Sequence, residues 1–67
     1  MIKGVVKEYD HLKGFGFITG KDGEDYFVHV SGLRKYLKER GLRIGQRVSF
    51  DVDFEMKGDK AINVRAD

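Results

Sequence analysis

Cysteine, proline and tryptophan are all absent from this 67-residue chain. Without cysteine there is neither a disulfide framework nor a thiolate metal site, so stability has to come from packing and hydrogen bonds. Without proline the slow X-Pro isomerisation step has no place in folding. Long apolar runs are missing too. The opening Met1-Ile2-Lys3-Gly4 leads straight into alternating sequence, and nothing is long enough for a signal peptide or a membrane span. A soluble, cytoplasmic, monomeric protein is the expectation. Histidine is scarce: His11 and His29 are the only two, with no serine or cysteine placed beside them as a nucleophile, and the acids scatter through turns and outward strand positions. Catalysis, a metal site, a cofactor and a small-molecule substrate are therefore not expected.

What remains is a short chain with room for one domain over residues 1–67, of a size that buries only roughly 60% of its unfolded surface. The formal net charge of +2 is modest, but it is unevenly placed. Arg34, Lys35, Lys38, Arg40, Arg43 and Arg47 crowd the middle of the chain against the single acid Glu39, while the flanking thirds are slightly acidic. Such a segment favours encounter with phosphate backbones, and it is equally compatible with plain solvated surface.

Turn signals recur at the spacing of a small sheet or barrel. Residues 2–9, 15–19 and 26–30 read as strands, with Gly20-Lys21-Asp22-Gly23 as a hairpin connection. Residues 33–43 differ: Leu33, Tyr36 and Leu37 fall at helical spacing, and Gly41 is placed to end a helical turn at a left-handed position. From Gln46 alternation returns, with Val48, Phe50, Val52 and Phe54 on one face and Arg47, Ser49, Asp51 and Asp53 on the other. Lys57-Gly58-Asp59-Lys60 reads as the last turn and residues 61–65 as a closing strand. The expected fold is all-β: a five-stranded antiparallel Greek-key barrel with a short helical turn in the long loop between strands 3 and 4.

Alternation assigns Phe50 and Phe54 to the core. Phe15, Phe17 and Phe27 are different, because Ile18, Tyr26 and Val28 already supply the core from the opposite faces of the same strands. Three phenyl rings then face water beside Lys7, Lys13 and His29. An exposed apolar patch marks an interaction site, and rings among cations suit unpaired bases, which stack for about 1–3 kcal/mol each while basic groups follow the phosphates. Gly14 and Gly16 either leave space beside these rings for a ligand or serve turn and bulge geometry. Asp10 and Asp25 are assigned to turns, through side-chain hydrogen bonds to nearby backbone.

At these residues the sequence resembles the cold-shock domain family, and the resemblance spans nearly the whole chain. Lys13-Gly14-Phe15-Gly16-Phe17-Ile18 is similar to the family's first ribonucleoprotein motif and Tyr26-Phe27-Val28-His29-Val30-Ser31 to its second; Gly4-Val5-Val6-Lys7, Gly45-Gln46-Arg47-Val48-Ser49-Phe50 and Ala61-Ile62-Asn63-Val64 are similar to its first, fourth and last strands. The resemblance implies a barrel of the oligonucleotide-binding type whose partners are single-stranded RNA and DNA. It implies stacking by Phe15, Phe17 and Phe27, a base or sugar contact by His29, and backbone contacts by Lys7 and Lys13, with Lys57 as a basic contact in the last hairpin. Tyr9 aligns with an aromatic that is usually phenylalanine.

Two positions depart from the family pattern. Glu8 stands where tryptophan is usual and Val30 where an aromatic is usual, and the absent platforms forfeit about 1–3 kcal/mol each. Tyr36 in the long loop either compensates or anchors the helical turn. The loop itself, with Arg34, Lys35, Lys38, Arg40 and Arg43, is more basic than the bacterial family leads one to expect, so affinity is expected to shift from stacking towards charge.

The implied role is that of an RNA chaperone or a regulator of transcription or translation. Neither RNA nor DNA is favoured by any recognisable reader of the 2′-hydroxyl. A different class of function stays open, in which the same barrel serves as a protein-interaction module with weakened nucleic-acid binding. Order speaks against an RNA-recognition motif, since that fold needs two packed helices and places its second motif before the first.

Overall fold

The computed structural model describes residues 1–67. Five strands, β1 (Ile2–Asp10), β2 (Phe15–Gly20), β3 (Asp25–His29), β4 (Arg47–Glu55) and β5 (Gly58–Ala66), close into a barrel in the order β1-β2-β3-β5-β4. Closure pairs every strand on both sides within the barrel. The long connection between β3 and β4 carries a 3-10 turn, Val30–Gly32, and a six-residue helix, α1 (Lys35–Arg40). The expected all-β barrel forms, with one change: the ladder is mixed. β3 and β5 run parallel through Phe27↔Lys60 and Val28↔Ala61, because β5 arrives at β3 from the far side of the β4–β5 hairpin.

The core gathers Val6, Ile18, Tyr26, Val28, Val48, Phe50, Ala61 and Val64 from the strands, with Leu33, Leu37 and Leu42 from the long connection sealing it. Leu33 is bridged in parallel to Val64, and Leu37 is the buried residue of α1. The helix stops at Gly41, whose N–H donates to Leu37 C=O at 2.7 Å; its φ of 73° is positive as expected, but its ψ of −170° is extended rather than left-handed helical. β3 ends one residue earlier than the alternation predicts. Val30 opens the 3-10 turn and packs against the core instead of continuing the strand.

β4 departs further from its pattern. Val48 and Phe50 are fully buried, Val52 only partly packs on the core, and Phe54 is 78% exposed, which overturns its assignment to the interior. β4 and β5 run on as a two-stranded ribbon past Lys60, the last β5 residue paired with β3, so no third strand covers Phe54. The hairpin turn is Met56-Lys57, not residues 57–60, and β5 begins at Gly58. Ser49, expected outward, is buried, with its hydroxyl donating to Asp67 at 3.0 Å.

Two register slips shape the barrel. Between Val6 and Glu8 the extra residue is Lys7, so Glu8 rather than Lys7 stands opposite Phe17. Between Ser49 and Asp51 the residues Asn63 and Val64 oppose Phe50 alone. Asn63 takes φ 52°, a left-handed value that asparagine tolerates, and its amide donates to Asp51 at 3.1 Å.

Candidate nucleic-acid interface

β2 and β3 form a hairpin whose two faces are chemically opposite. Gly16, Ile18, Tyr26 and Val28 are buried on the inside, while Phe15, Phe17, Phe27 and His29 remain at least partly open to solvent on the outside. Register brings Phe15 opposite His29 and Phe17 opposite Phe27. Phe27 lies against both other rings, 5.8 Å from Phe15 at a tilt of 35° and 5.9 Å from Phe17 in an edge-on arrangement at 74°. These separations are in the favourable range for aromatic pairs. The three rings therefore brace one another while leaving surface for a ligand.

The glycines of the first motif serve the backbone. A Cβ on Gly16 would strike the backbone of Glu8 and Tyr9, so glycine is what lets β1 and β2 approach at this point, on the side away from the rings. Gly14, at φ 74°, lies in the turn with its missing side chain facing Val30. Turn and packing geometry account for both.

The ladder extends the aromatic face sideways. Across four strands one row reads Glu8, Phe17, Phe27, Lys60, because each residue is the partner of the next. Lys60 was hidden from sequence reading, since only the parallel β3–β5 pairing brings it there. Its only signal, a lysine in what reads as the last turn, is too weak to pick out alone. The neighbouring row reads Asp10, Phe15, His29.

Lys7 is not a free cation. Its ammonium meets Asp25 at 2.9 Å, and Asp25 also accepts from the Thr19 hydroxyl at 2.9 Å. The Asp25 hydrogen bond holds the Lys7 pKa above its ordinary value, and the same bond, together with that from Thr19, holds Asp25 below the usual carboxylate range. Asp25 thus binds side chains rather than the turn backbone assigned to it. The hairpin's turn carboxylate is Asp22, which accepts from Glu24 N–H and from the Tyr26 hydroxyl. Asp10 behaves as expected: it accepts from Lys13 N–H at 3.0 Å and Leu12 N–H at 2.9 Å, and the Lys13 bond is the larger cause of its lowered pKa.

His29 caps the 3-10 turn. Its Nδ1 accepts from Ser31 N–H at 3.1 Å and lies 2.9 Å from the Ser31 hydroxyl. A serine does stand beside this histidine, contrary to the sequence reading, but the arrangement orders a turn and no third group orients the ring for base catalysis. Tyr9 pairs with Gly16, so it faces away from the phenyl rings; it packs on the core, meets His11 edge-on at 5.2 Å, and burial raises its pKa. His11 in turn lies against Gly41 at the end of α1.

Tyr36 stands apart from the ring cluster. It is half exposed on α1, and its hydroxyl accepts from Ala66 N–H at 3.1 Å, which ties the helix to the end of β5. The basic loop nonetheless connects to the aromatic face. One groove runs beside Phe15, Glu8, Lys13 and Ile44; a second, sharing Tyr9 and Lys13 with the first, reaches Lys38 and Arg40; a third continues from Arg40 to Arg43 and Tyr36. Arg34 and Lys35 start the helix outside these grooves, and Lys57 sits at the tip of the β4–β5 ribbon. No group of three or more histidine or acidic side chains is gathered as a metal would require.

A closed five-stranded barrel with rings and cations open on one two-strand face is the architecture of the oligonucleotide-binding barrels. Residues 2–66 match the 'Cold-shock' DNA-binding domain. The chain is 44% identical to "Cold shock protein 1" of Lactiplantibacillus plantarum over 96% of each protein, and 43% identical to "Cold shock protein CspC" of Bacillus subtilis over 97% of each. It is 40% identical to the "Major cold shock protein" of Streptococcus pyogenes, over 96% of this chain and 94% of that protein. This chain belongs to the cold-shock domain family, whose members are nucleic-acid-binding proteins and not enzymes. No helix is long and apolar enough to cross a membrane.

Proposed function

We propose that this protein is a cytoplasmic, sequence-tolerant binder of single-stranded RNA and DNA, acting as an RNA chaperone or as a regulator of transcription or translation. Unpaired bases stack on Phe15, Phe17 and Phe27, His29 contacts a base or sugar, and Lys13 and Lys60 take phosphates. The strand continues along the grooves towards Lys38, Arg40 and Arg43, with Lys57 meeting it at the ribbon tip. Lys7 contributes to the extent that Asp25 releases it. The observation that carries this reading is the position of Phe27, braced between Phe15 and Phe17 on the solvent side of a hairpin whose inner side is fully packed.

A salt series checks the share of charge. Each neutralised phosphate on a single strand adds about −0.7 to the slope of log K against log salt, so a slope near zero would remove the basic loop from the account. The reading as a whole is tested by titrating labelled single-stranded RNA and DNA against the wild type and a Phe17→Ala, Phe27→Ala double variant. Binding by the wild type that collapses in the double variant supports it. No binding by the wild type at low salt favours a protein-interaction role for the same rings, for which Glu8 opposite Phe17 is the supporting observation.

A further inference from the structure

The slip at Lys7 turns Glu8 onto the outer face directly across from Phe17, where it is exposed and takes part in no hydrogen bond or ion pair. Its neighbours are occupied. Lys7 is held by Asp25, and Asp10, the other carboxylate bordering the groove beside Phe15, is held by the turn amides of Leu12 and Lys13. Glu8 is thus the one uncommitted acceptor beside the rings. Resting on the single-strand reading above, we infer that Glu8 selects the base stacked at Phe17, favouring guanine and disfavouring uracil and thymine.

The chemistry follows from what a carboxylate can accept. An ionised glutamate offers two acceptor oxygens and no donor. Bases stacked on aromatic side chains keep their Watson–Crick edges free to be read. Guanine presents two adjacent donors on that edge, N1–H and the N2 amino group, which match the two carboxylate oxygens as a charge-assisted bidentate pair. Cytosine and adenine each present a single amino donor beside a ring-nitrogen acceptor. Uracil and thymine place one N3–H between two carbonyl oxygens, both of which the carboxylate repels.

The row in which Glu8 sits also orients the base. Lys60 stands beyond Phe17 and Phe27, three strand spacings or roughly 14 Å away, and the row runs on from it to Asp53 of β4. Within this row the phosphate of the stacked nucleotide is drawn to Lys60 and repelled by Glu8 at one end and by Asp53 at the other. A nucleotide on the rings therefore lies with its backbone towards Lys60 and its edge towards Glu8.

The test compares a short labelled oligouridylate with three derivatives carrying one central G, C or A, titrated at low salt against the wild type, Glu8→Gln and Glu8→Ala. The wild type should bind the G derivative roughly five- to a hundredfold tighter than the all-U strand, the range a good bidentate pair gives, with C and A between. Glu8→Gln keeps the side-chain shape but removes the charge. It should bind the all-U strand more tightly than the wild type does and lose most of the preference for G, as should Glu8→Ala. Equal binding of all four strands by the wild type would overturn the inference while leaving single-strand binding intact. A preference for G that persists undiminished in Glu8→Ala would also overturn it, because stacking alone would then explain the preference. Absence of binding to every strand would defeat this inference together with the reading beneath it.

Discussion

Lys7 and Asp25 close an ion pair of 2.9 Å across the barrel surface, and that pair removes a cation from the phosphate-binding set. Exposed pairs of this kind contribute little to stability, so its consequence lies in binding. Asp25→Asn should leave the thermal midpoint nearly unchanged while tightening single-strand binding a few-fold and steepening the salt dependence by about one phosphate's share, roughly −0.7 in slope. Fluorescence titration over a salt series measures both. An unchanged slope would mean that Lys7 reaches the strand with or without Asp25.

Phe50 and Phe54 separate the core from the ribbon. Both lie on the same alternating run, yet Phe50 is fully buried and Phe54 is 78% exposed. Phe50→Ala should cost about 3–5 kcal/mol, a large share of the roughly 3–10 kcal/mol available to a domain of this size. Phe54→Ala should change stability by no more than about 0.5 kcal/mol. Urea unfolding of the two variants decides whether β4 outruns the barrel in solution.

Carboxylate chemistry sets the acid limit of stability. Asp10 and Asp22 are held below the usual carboxylate range, chiefly by hydrogen bonds from Lys13 N–H and the Tyr26 hydroxyl respectively. A pKa lowered by folding gives stability that is complete above the unfolded value, about 3.9, and is lost as pH falls through the folded values. The thermal midpoint should therefore drop below about pH 4, less steeply in Asp22→Asn. At the alkaline end the sign reverses. Tyr26 is pushed up to about 12, chiefly by its hydrogen bond to Asp22, so its contribution is present below the unfolded value of about 10 and disappears as pH rises through 12. Phenolate absorbance in a pH titration should show a tyrosine ionising near pH 12, beyond the Tyr9 phenol that burial also raises, and Asp22→Asn should bring that last step to lower pH.

Refolding should be a single phase. No proline is present to isomerise, and the long-range strand pairing sets the pace at milliseconds to seconds. Stopped-flow refolding from urea reads this directly. A phase lasting tens of seconds would contradict it.

Most of the barrel and its aromatic face are legible in the sequence, because period-two alternation at Phe15, Phe17, Phe27 and His29 sorts residues by side without reference to anything distant. What alternation cannot carry is register. The extra residue at Lys7 reverses the facing of Glu8, and the slip at Asn63 and Val64 shifts the partners of β4; both depend on how two strands meet. Alternation does not show where the covering strand ends, so it puts Phe54 inside while the structure leaves it exposed. Lys60 gives no sign of its place because its parallel partner lies far away in sequence, and Asp25 reads as a turn residue because its partners Lys7 and Thr19 come from two other strands. Tyr36 reads as either stacker or anchor until its hydroxyl is found on Ala66 N–H.

The central claim is that single strands bind across the β2–β3 face and leave it by the basic grooves. Amide and aromatic chemical-shift changes in isotope-labelled protein, followed as a short single-stranded oligonucleotide is added, test it most directly. The largest changes should fall on Phe15, Phe17, Phe27, His29 and Lys60, with a weaker trail through Lys13 to Arg40 and Arg43. Changes confined to the Phe54 and Met56 ribbon tip, or none at saturating strand, would contradict the account.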